Sequence, residues 1–296
     1  MTEITILDGG MGQELVARSG MAPTALWSTD VMRAQPHLVG EIHRDFFRAG
    51  AQIATANTYA IHRDRLVRAE AEDEFAALHA TALEQALKAR DAHGAGRVAG
   101  AIGPLGASYR ADLTPQHSTA VALYAEIATL HVPHVDLLIC ETITSLAQAE
   151  ALVDGVLGLG VPVWLAFSVD DKDGTRLRSG EALADVLPMV GGAAALLANC
   201  SVPEVMPDAL EILSRAGLPF GAYANGFTEI SAGFLGDAPT VDALTSRTDM
   251  GPEAYADHVM GWIDQGATIV GGCCEVSPAH IAEIARRVNA LGRGPT

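Results

Sequence analysis

Eight short apolar runs, each followed by a stretch of helical periodicity, set the strongest limit on how this 296-residue chain can fold. The runs span 4–9, 52–57, 97–103, 135–141, 162–168, 194–200, 219–225 and 267–273, and the helical stretches between and after them cover 38–49, 70–92, 119–132, 146–157, 181–190, 205–216, 252–265 and 278–291. Runs such as Val135-Asp136-Leu137-Leu138-Ile139-Cys140 are apolar nearly throughout, as parallel strands covered on both faces must be. Alternating antiparallel patterns are scarce. Eight β-α units predict an α/β fold, a single-domain (β/α)8 TIM barrel over 1–296, with an open doubly wound sheet as the alternative. Ser145 and the pair Ser277-Pro278 read as helix starts, and Gly50, Gly217 and Gly266 as helix ends.

Charge removes several function classes. With 19 Lys and Arg against 36 Asp and Glu, the net charge of −17 repels a polyanion, so no nucleic-acid partner is expected. No apolar stretch nears the roughly 20 residues of a membrane span, and the N-terminus lacks a signal-peptide pattern, so a cytoplasmic protein without a membrane partner is expected. Asp8-Gly9-Gly10-Met11-Gly12 follows a strand but lacks the G-x-G-x-x-G order, and no P-loop occurs, so a nucleotide site is not indicated.

Barrel catalysis is performed at the carboxyl ends of strands. The polar residues there are Asp8, Thr55, Asn57, Glu141, Ser168, Cys200, Asn225, Cys273 and Cys274. Gly271-Gly272-Cys273-Cys274 closes the eighth run and Asn199-Cys200 the sixth, so three sulfurs can converge. Free cysteine is commonly just a small buried hydrophobe. Three thiolates around one open position instead suit catalytic Zn2+, with Cys200, Cys273 and Cys274 as ligands. Such a site activates an external thiol, while Glu141 and Asp8 can hold the ammonium of an amino-acid substrate and the N–H groups of Gly9 and Gly10 can face its carboxylate. Cys140, one residue before Glu141 on a strand, is expected to point the other way, into core. The histidines in helical and loop stretches, His37, His43, His62, His79 and His93, are expected at the solvated surface.

Asp8-Gly9-Gly10-Met11-Gly12-Gln13-Glu14-Leu15, Thr55-Ala56-Asn57-Thr58-Tyr59, Gly103-Pro104-Leu105-Gly106, Glu141-Thr142, Asn199-Cys200 and Gly271-Gly272-Cys273-Cys274 resemble, in order, the signature blocks of the homocysteine S-methyltransferase family. The resemblance implies one homocysteine-binding, zinc-dependent barrel in which the homocysteine sulfur binds the metal and takes up a methyl group, giving methionine. It implies Cys200, Cys273 and Cys274 as metal ligands and Asp8, Gly9, Thr55 and Glu141 as the holders of the amino-acid end, with Asn57, Tyr59 and Asn225 in blocks that line the pocket. Thr142 stands where betaine-using members carry tyrosine, which disfavours betaine. Tyr223-Ala224-Asn225-Gly226-Phe227, the stretch 228–250 and Glu275 depart from the pattern near the donor side. No folate or cobalamin module follows the barrel, so a small donor, S-methylmethionine or another sulfonium, is expected to react directly. The alternatives are a methyl-transfer component working with a corrinoid protein and a non-catalytic zinc- or thiol-sensing barrel.

Overall fold

A computed structural model describes residues 2–294 except 22, 23, 25, 27, 232, 234 and 236–243. Eight parallel strands form one sheet: β1 (Thr5–Ile6), β2 (Ile53–Thr55), β3 (Arg97–Ile102), β4 (Leu137–Ile143), β5 (Val163–Phe167), β6 (Ala195–Asn199), β7 (Phe220–Tyr223) and β8 (Ile269–Val270). Their order runs β1-β8-β7-β6-β5-β4-β3-β2, and a parallel bridge from Leu7 to Ile53 joins the two ends, closing the (β/α)8 barrel. The doubly wound alternative is excluded.

Strand alternation divides the core in two. Leu7, Ile53, Ala99, Ile139, Trp164, Leu197 and Ile269 fill the barrel, while Ile6, Leu138, Cys140, Leu165, Leu196 and Val270 face the helices. Cys140 is fully buried in the outer layer, as expected from its position beside Glu141.

The helices are α1 (Met11–Ser19), α2 (Ser28–Ala34), α3 (Pro36–Ala49), α4 (Arg63–Arg68), α5 (Phe75–His93), α6 (His117–His131), α7 (Leu146–Val156), α8 (Met206–Leu213), α9 (Pro252–Asp264) and α10 (Pro278–Ala290). Glycines at 50, 217 and 266 take positive φ at helix ends, and the Ser145 hydroxyl accepts the Gln148 N–H at 3.2 Å to start α7. At α10, Ser277 and His280 form a reciprocal capping box, with the His280 ring nitrogen accepting the Ser277 N–H at 3.1 Å. Ser277→Ala is expected to lower stability by about 1 kcal/mol, a fall of about 2 °C in the thermal midpoint for a chain of this size; calorimetry checks it. The expected helix at 181–190 is a 3-10 segment, Leu183–Met189, because Pro188 has no N–H to donate. Helices α1, α2 and α4 add to the expected set.

Among the described residues, no helix is long and apolar enough to cross a membrane. The divergent 228–250 stretch lies partly outside the described residues. Its ends meet where Phe227 pairs with Ser246 and the Arg247 N–H bonds the Gly226 carbonyl at 2.8 Å.

Candidate active site

One cavity of about 110 Å³ opens at the carboxyl end of the barrel and gathers residues from most of the strands. Asp8 reaches it just past β1. The Asp8 carboxylate accepts the Thr55 N–H and the Thr55 hydroxyl, both at 2.7 Å, which ties β1 to β2 and aims both carboxylate oxygens. Burial pushes the Asp8 pKa up to about 7 against these bonds.

Glu141 continues the inward-facing set of Leu137 and Ile139 on β4, and the strand turns irregular beside it. The register with β5 shifts between Cys140 and Ile143, and Thr142 there has φ +61°, a left-handed conformation uncommon for a β-branched residue. Asn199 holds that bend, its carbonyl accepting the Thr142 N–H at 3.0 Å and its amide donating to the Thr142 hydroxyl at 3.1 Å. Glu141 faces the cavity, where the Tyr223 hydroxyl donates to it at 3.1 Å. Burial pushes the Glu141 pKa up to about 7, with the nearby Asp8 adding to the rise. Both groups bind a cation only when ionised, so kcat/KM for an ammonium-bearing substrate is expected to climb with pH up to about 7 and then level. A profile flat from pH 5.5 to 8 would contradict this assignment.

The three thiols meet at the same mouth. The sulfurs of Cys200, Cys273 and Cys274 lie within 4.8 Å of one another, the one such group of three among the described residues. Cys200 and Cys273 are joined as a disulfide and Cys274 is free, so in this state two of the three are not available as thiolates. Burial pushes the Cys274 pKa up to about 12, with the nearby Gln13 amide pulling the other way. Glycines make the arrangement possible: a Cβ on Gly9 would come within 2.2 Å of the Val276 carbonyl, and one on Gly272 within 2.0 Å of the Val276 side chain. The loops after β1 and β8 thus close on each other around Val276.

Of the residues expected here, Asp8, Gly9, Thr55, Asn57, Tyr59, Glu141, Cys200, Cys273 and Cys274 all line the cavity. Asn57 turns its amide toward the Ser28 carbonyl at 3.4 Å, and Tyr59 shares a hydrogen bond with Ser108 at 2.8 Å. Asn225 is not on the cavity wall: its side-chain carbonyl accepts the Phe227 N–H at 3.1 Å, which fixes the turn after β7. Ser168 likewise sits behind the wall, bonded to the Cys200 carbonyl. The Gly10 N–H is not free for a substrate, because it donates to the Val276 carbonyl at 2.8 Å. Instead α1 begins at the cavity with Gly12 and Gln13 on the wall; the Met11 N–H donates to the Gly9 carbonyl at 2.9 Å, whereas the Gly12 and Gln13 amides have no acceptors within the helix. Tyr109 and Tyr223 complete the wall.

The histidine expectation needs correction. His43, His79 and His131 are buried because their helices turn these faces inward, and His62, the extended residue just before α4, is buried too. His79 and His131 share a hydrogen bond at 2.9 Å, and His43 packs beneath Asp8 with 4.0 Å between its Nδ1 and the carboxylate. Burial keeps His43 and His131 neutral, their pKa values pulled down to about 3. His37 and His93 are exposed, as expected.

Fold and site together define a barrel enzyme with a three-cysteine cluster that could hold a metal ion beside the carboxylates of Asp8 and Glu141. The model of the family described as homocysteine S-methyltransferase matches residues 5–288. The homocysteine S-methyltransferase of Escherichia coli (strain K12) is 32% identical over 306 aligned residues, covering 96% of this chain and 95% of the relative. The crystal structure of the Escherichia coli homocysteine methyltransferase MmuM in its metallated form superposes with a TM-score of 0.79 at 30% identity, covering 97% of this chain and 96% of that one. Its oxidised form gives 0.80 at 30% identity and 96% coverage of each chain. The chain belongs to the homocysteine S-methyltransferase family and is a methyltransferase.

Proposed function

We propose that this enzyme methylates the thiol of homocysteine, using S-methylmethionine or a related small sulfonium as donor, and releases methionine. The observation that carries the reading is the convergence of three sulfurs within 4.8 Å on the cavity that also holds Asp8 and Glu141. Once the disulfide is reduced, an all-sulfur set without histidine or carboxylate fits zinc, and Cys200, Cys273 and Cys274 would hold it. Bound there, zinc would supply a Lewis acid that lets a thiol lose its proton at neutral pH.

The protein's own groups account for the rest of the recognition. Glu141 and Asp8, made reluctant anions by burial, are satisfied by a substrate ammonium. The amides of Gly12 and Gln13 at the start of α1 suit the carboxylate of the same substrate. Tyr59, Tyr109 and Tyr223 line the cavity, and aromatic rings there favour a cationic donor. A sulfonium needs no general acid, since its sulfur leaves as a neutral thioether when the S–CH3 bond breaks and the new one forms. The need for reduced thiols supports a cytoplasmic setting.

The test is a donor panel. Reduced, zinc-loaded protein is given homocysteine with S-methylmethionine, S-adenosylmethionine, betaine or dimethylsulfoniopropionate, and methionine is quantified. We expect the sulfoniums to work and betaine to fail. Activity with betaine alone, or undiminished activity in metal-free protein, would overturn the reading.

A further inference from the structure

Behind Cys200 lies an ion pair whose two residues do not themselves line the cavity and that the chemistry above does not use. Arg178 and Asp171, with side chains only 10% and 9% exposed, are joined by two bonds, Nη2 to Oδ1 at 2.7 Å and Nη1 to Oδ2 at 3.1 Å. The remaining reach of the Arg178 fork goes to the end of β5 and to Cys200: Nε donates to the Ser168 hydroxyl at 2.8 Å and Nη2 to the Cys200 carbonyl at 3.3 Å. The Ser168 hydroxyl donates to that same carbonyl at 3.3 Å. Cys200 needs the support, because its φ is +51°, a conformation that L residues rarely adopt. Its N–H is also held, by the Tyr223 carbonyl at 3.2 Å. The peptide groups on both sides of this sulfur-bearing residue are therefore pinned.

The face of the guanidinium serves a second cavity residue. Its carbon lies 4.8 Å from the centre of the Tyr109 ring, and Tyr109 too has a left-handed backbone, φ +63°. Asp171 meanwhile accepts the Val202 N–H at 3.1 Å and the Ile230 N–H at 3.0 Å, which anchors the segment after β7 to the same pair. An ion pair that only cemented loops would have no reason to converge on the carbonyl of one thiol residue and the ring of one wall residue, both in strained backbone.

We propose that the Arg178–Asp171 pair is a positioning element for the thiol centre: it fixes the backbone of Cys200 so that the sulfur is aimed at those of Cys273 and Cys274, and it seats Tyr109 over the same cavity. The part concerning metal rests on the zinc reading given above. Outer groups that orient metal ligands typically change affinity by about 10- to 100-fold when removed. The Arg fork is also not replaceable by a lysine point charge, which cannot make the planar set of bonds.

The experiment measures metal binding by the reduced full chain without reference to turnover. Zinc affinity is read by competition with a chromophoric chelator, and thiolate ligation by the charge-transfer absorption of the cobalt(II) form, with circular dichroism and thermal midpoint as controls on folding. For Arg178→Met and Arg178→Lys we expect zinc affinity to fall by at least about 10-fold and the charge-transfer intensity per bound cobalt to drop by about one third, the share of one sulfur in three. Ser168→Ala leaves the Arg178–Asp171 bonds whole and removes the hydroxyl that accepts from Arg178 Nε and donates to the Cys200 carbonyl; it folds whether or not the Arg178 variants do, and is expected to cost about threefold in affinity. A folded Arg178 variant, or Ser168→Ala should neither fold, that binds zinc as the unsubstituted chain does, with undiminished charge-transfer intensity, overturns the proposal while leaving the zinc reading intact. An unsubstituted reduced chain that binds no zinc overturns both.

Discussion

Replacing Cys274 with serine is expected to leave a folded barrel that retains less than about a tenth of a zinc ion per chain and has kcat/KM lowered by at least about 10³-fold, some 4 kcal/mol of barrier. Cys274 is the informative choice because it is free in this structure, whereas Cys200 and Cys273 are bonded to each other. A serine hydroxyl does not ionise near neutral pH, so the donor set drops from three sulfurs to two. Without the metal, a substrate thiol with a pKa of about 8.5 stays mostly protonated. Cys140→Ser provides the contrast. That sulfur faces the outer core layer and burial pushes its pKa up, so the substitution strands a hydroxyl there, costing about 1–3 kcal/mol of stability while metal content stays unchanged. Metal analysis beside methionine formation and thermal melting separates the two cases. A metal-poor Cys274→Ser protein with full activity would remove the thiol centre from the chemistry.

The reason Cys274 and Cys140 can be told apart lies in the strand register, and that much was legible in the sequence. Apolar runs of strand length mark all eight strands because parallel strands buried on both faces admit few polar residues. Period-2 alternation then separates Glu141 from Cys140, and motif position brings Cys200 to Cys273 and Cys274. What was hidden is what depends on three-dimensional partners. Helix α1 was hidden because Gly9-Gly10-Met11-Gly12 reads as a loop, although Gly9 serves close approach to Val276 and the helix starts at Met11, directly after Gly10. His43 and His79 lie on helices whose inward faces are not purely apolar, and His62 caps α4 from a loop, so periodicity alone left them outside. Asn225 sits at a strand end like the others, but the turn at Phe227 takes its side-chain carbonyl. Gln13, Ser108 and Tyr109 reach the cavity from segments with no strand-end signal, and the strained backbone of Tyr109, Thr142 and Cys200 leaves no trace in residue type.

Glu141→Gln should separate what the site gives to the substrate from what it costs the fold. For binding, the amide keeps the size and can still meet the Tyr223 hydroxyl, but it offers a substrate ammonium no charge. Leaving one partner of a buried pair without the other costs about 3–5 kcal/mol, so KM for homocysteine is expected to rise by at least about 10²-fold, with a smaller change in kcat. For stability the sign reverses. Burial raises the pKa of Glu141 from 4.5 to about 7 in the folded chain, so the native state holds its proton more tightly than the unfolded one. Stability is therefore highest at low pH and declines as pH rises from about 4.5 through about 7, after which the carboxylate is ionised in both states. A neutral glutamine escapes this decline. Substrate-free, metal-free Glu141→Gln protein is thus expected to melt higher than the unsubstituted chain at pH 8, with the advantage shrinking toward zero near pH 4.5. A variant that binds homocysteine normally, or that melts lower at pH 8 than at pH 5 relative to the unsubstituted chain, would show that Glu141 is neither the ammonium's partner nor a strained buried charge.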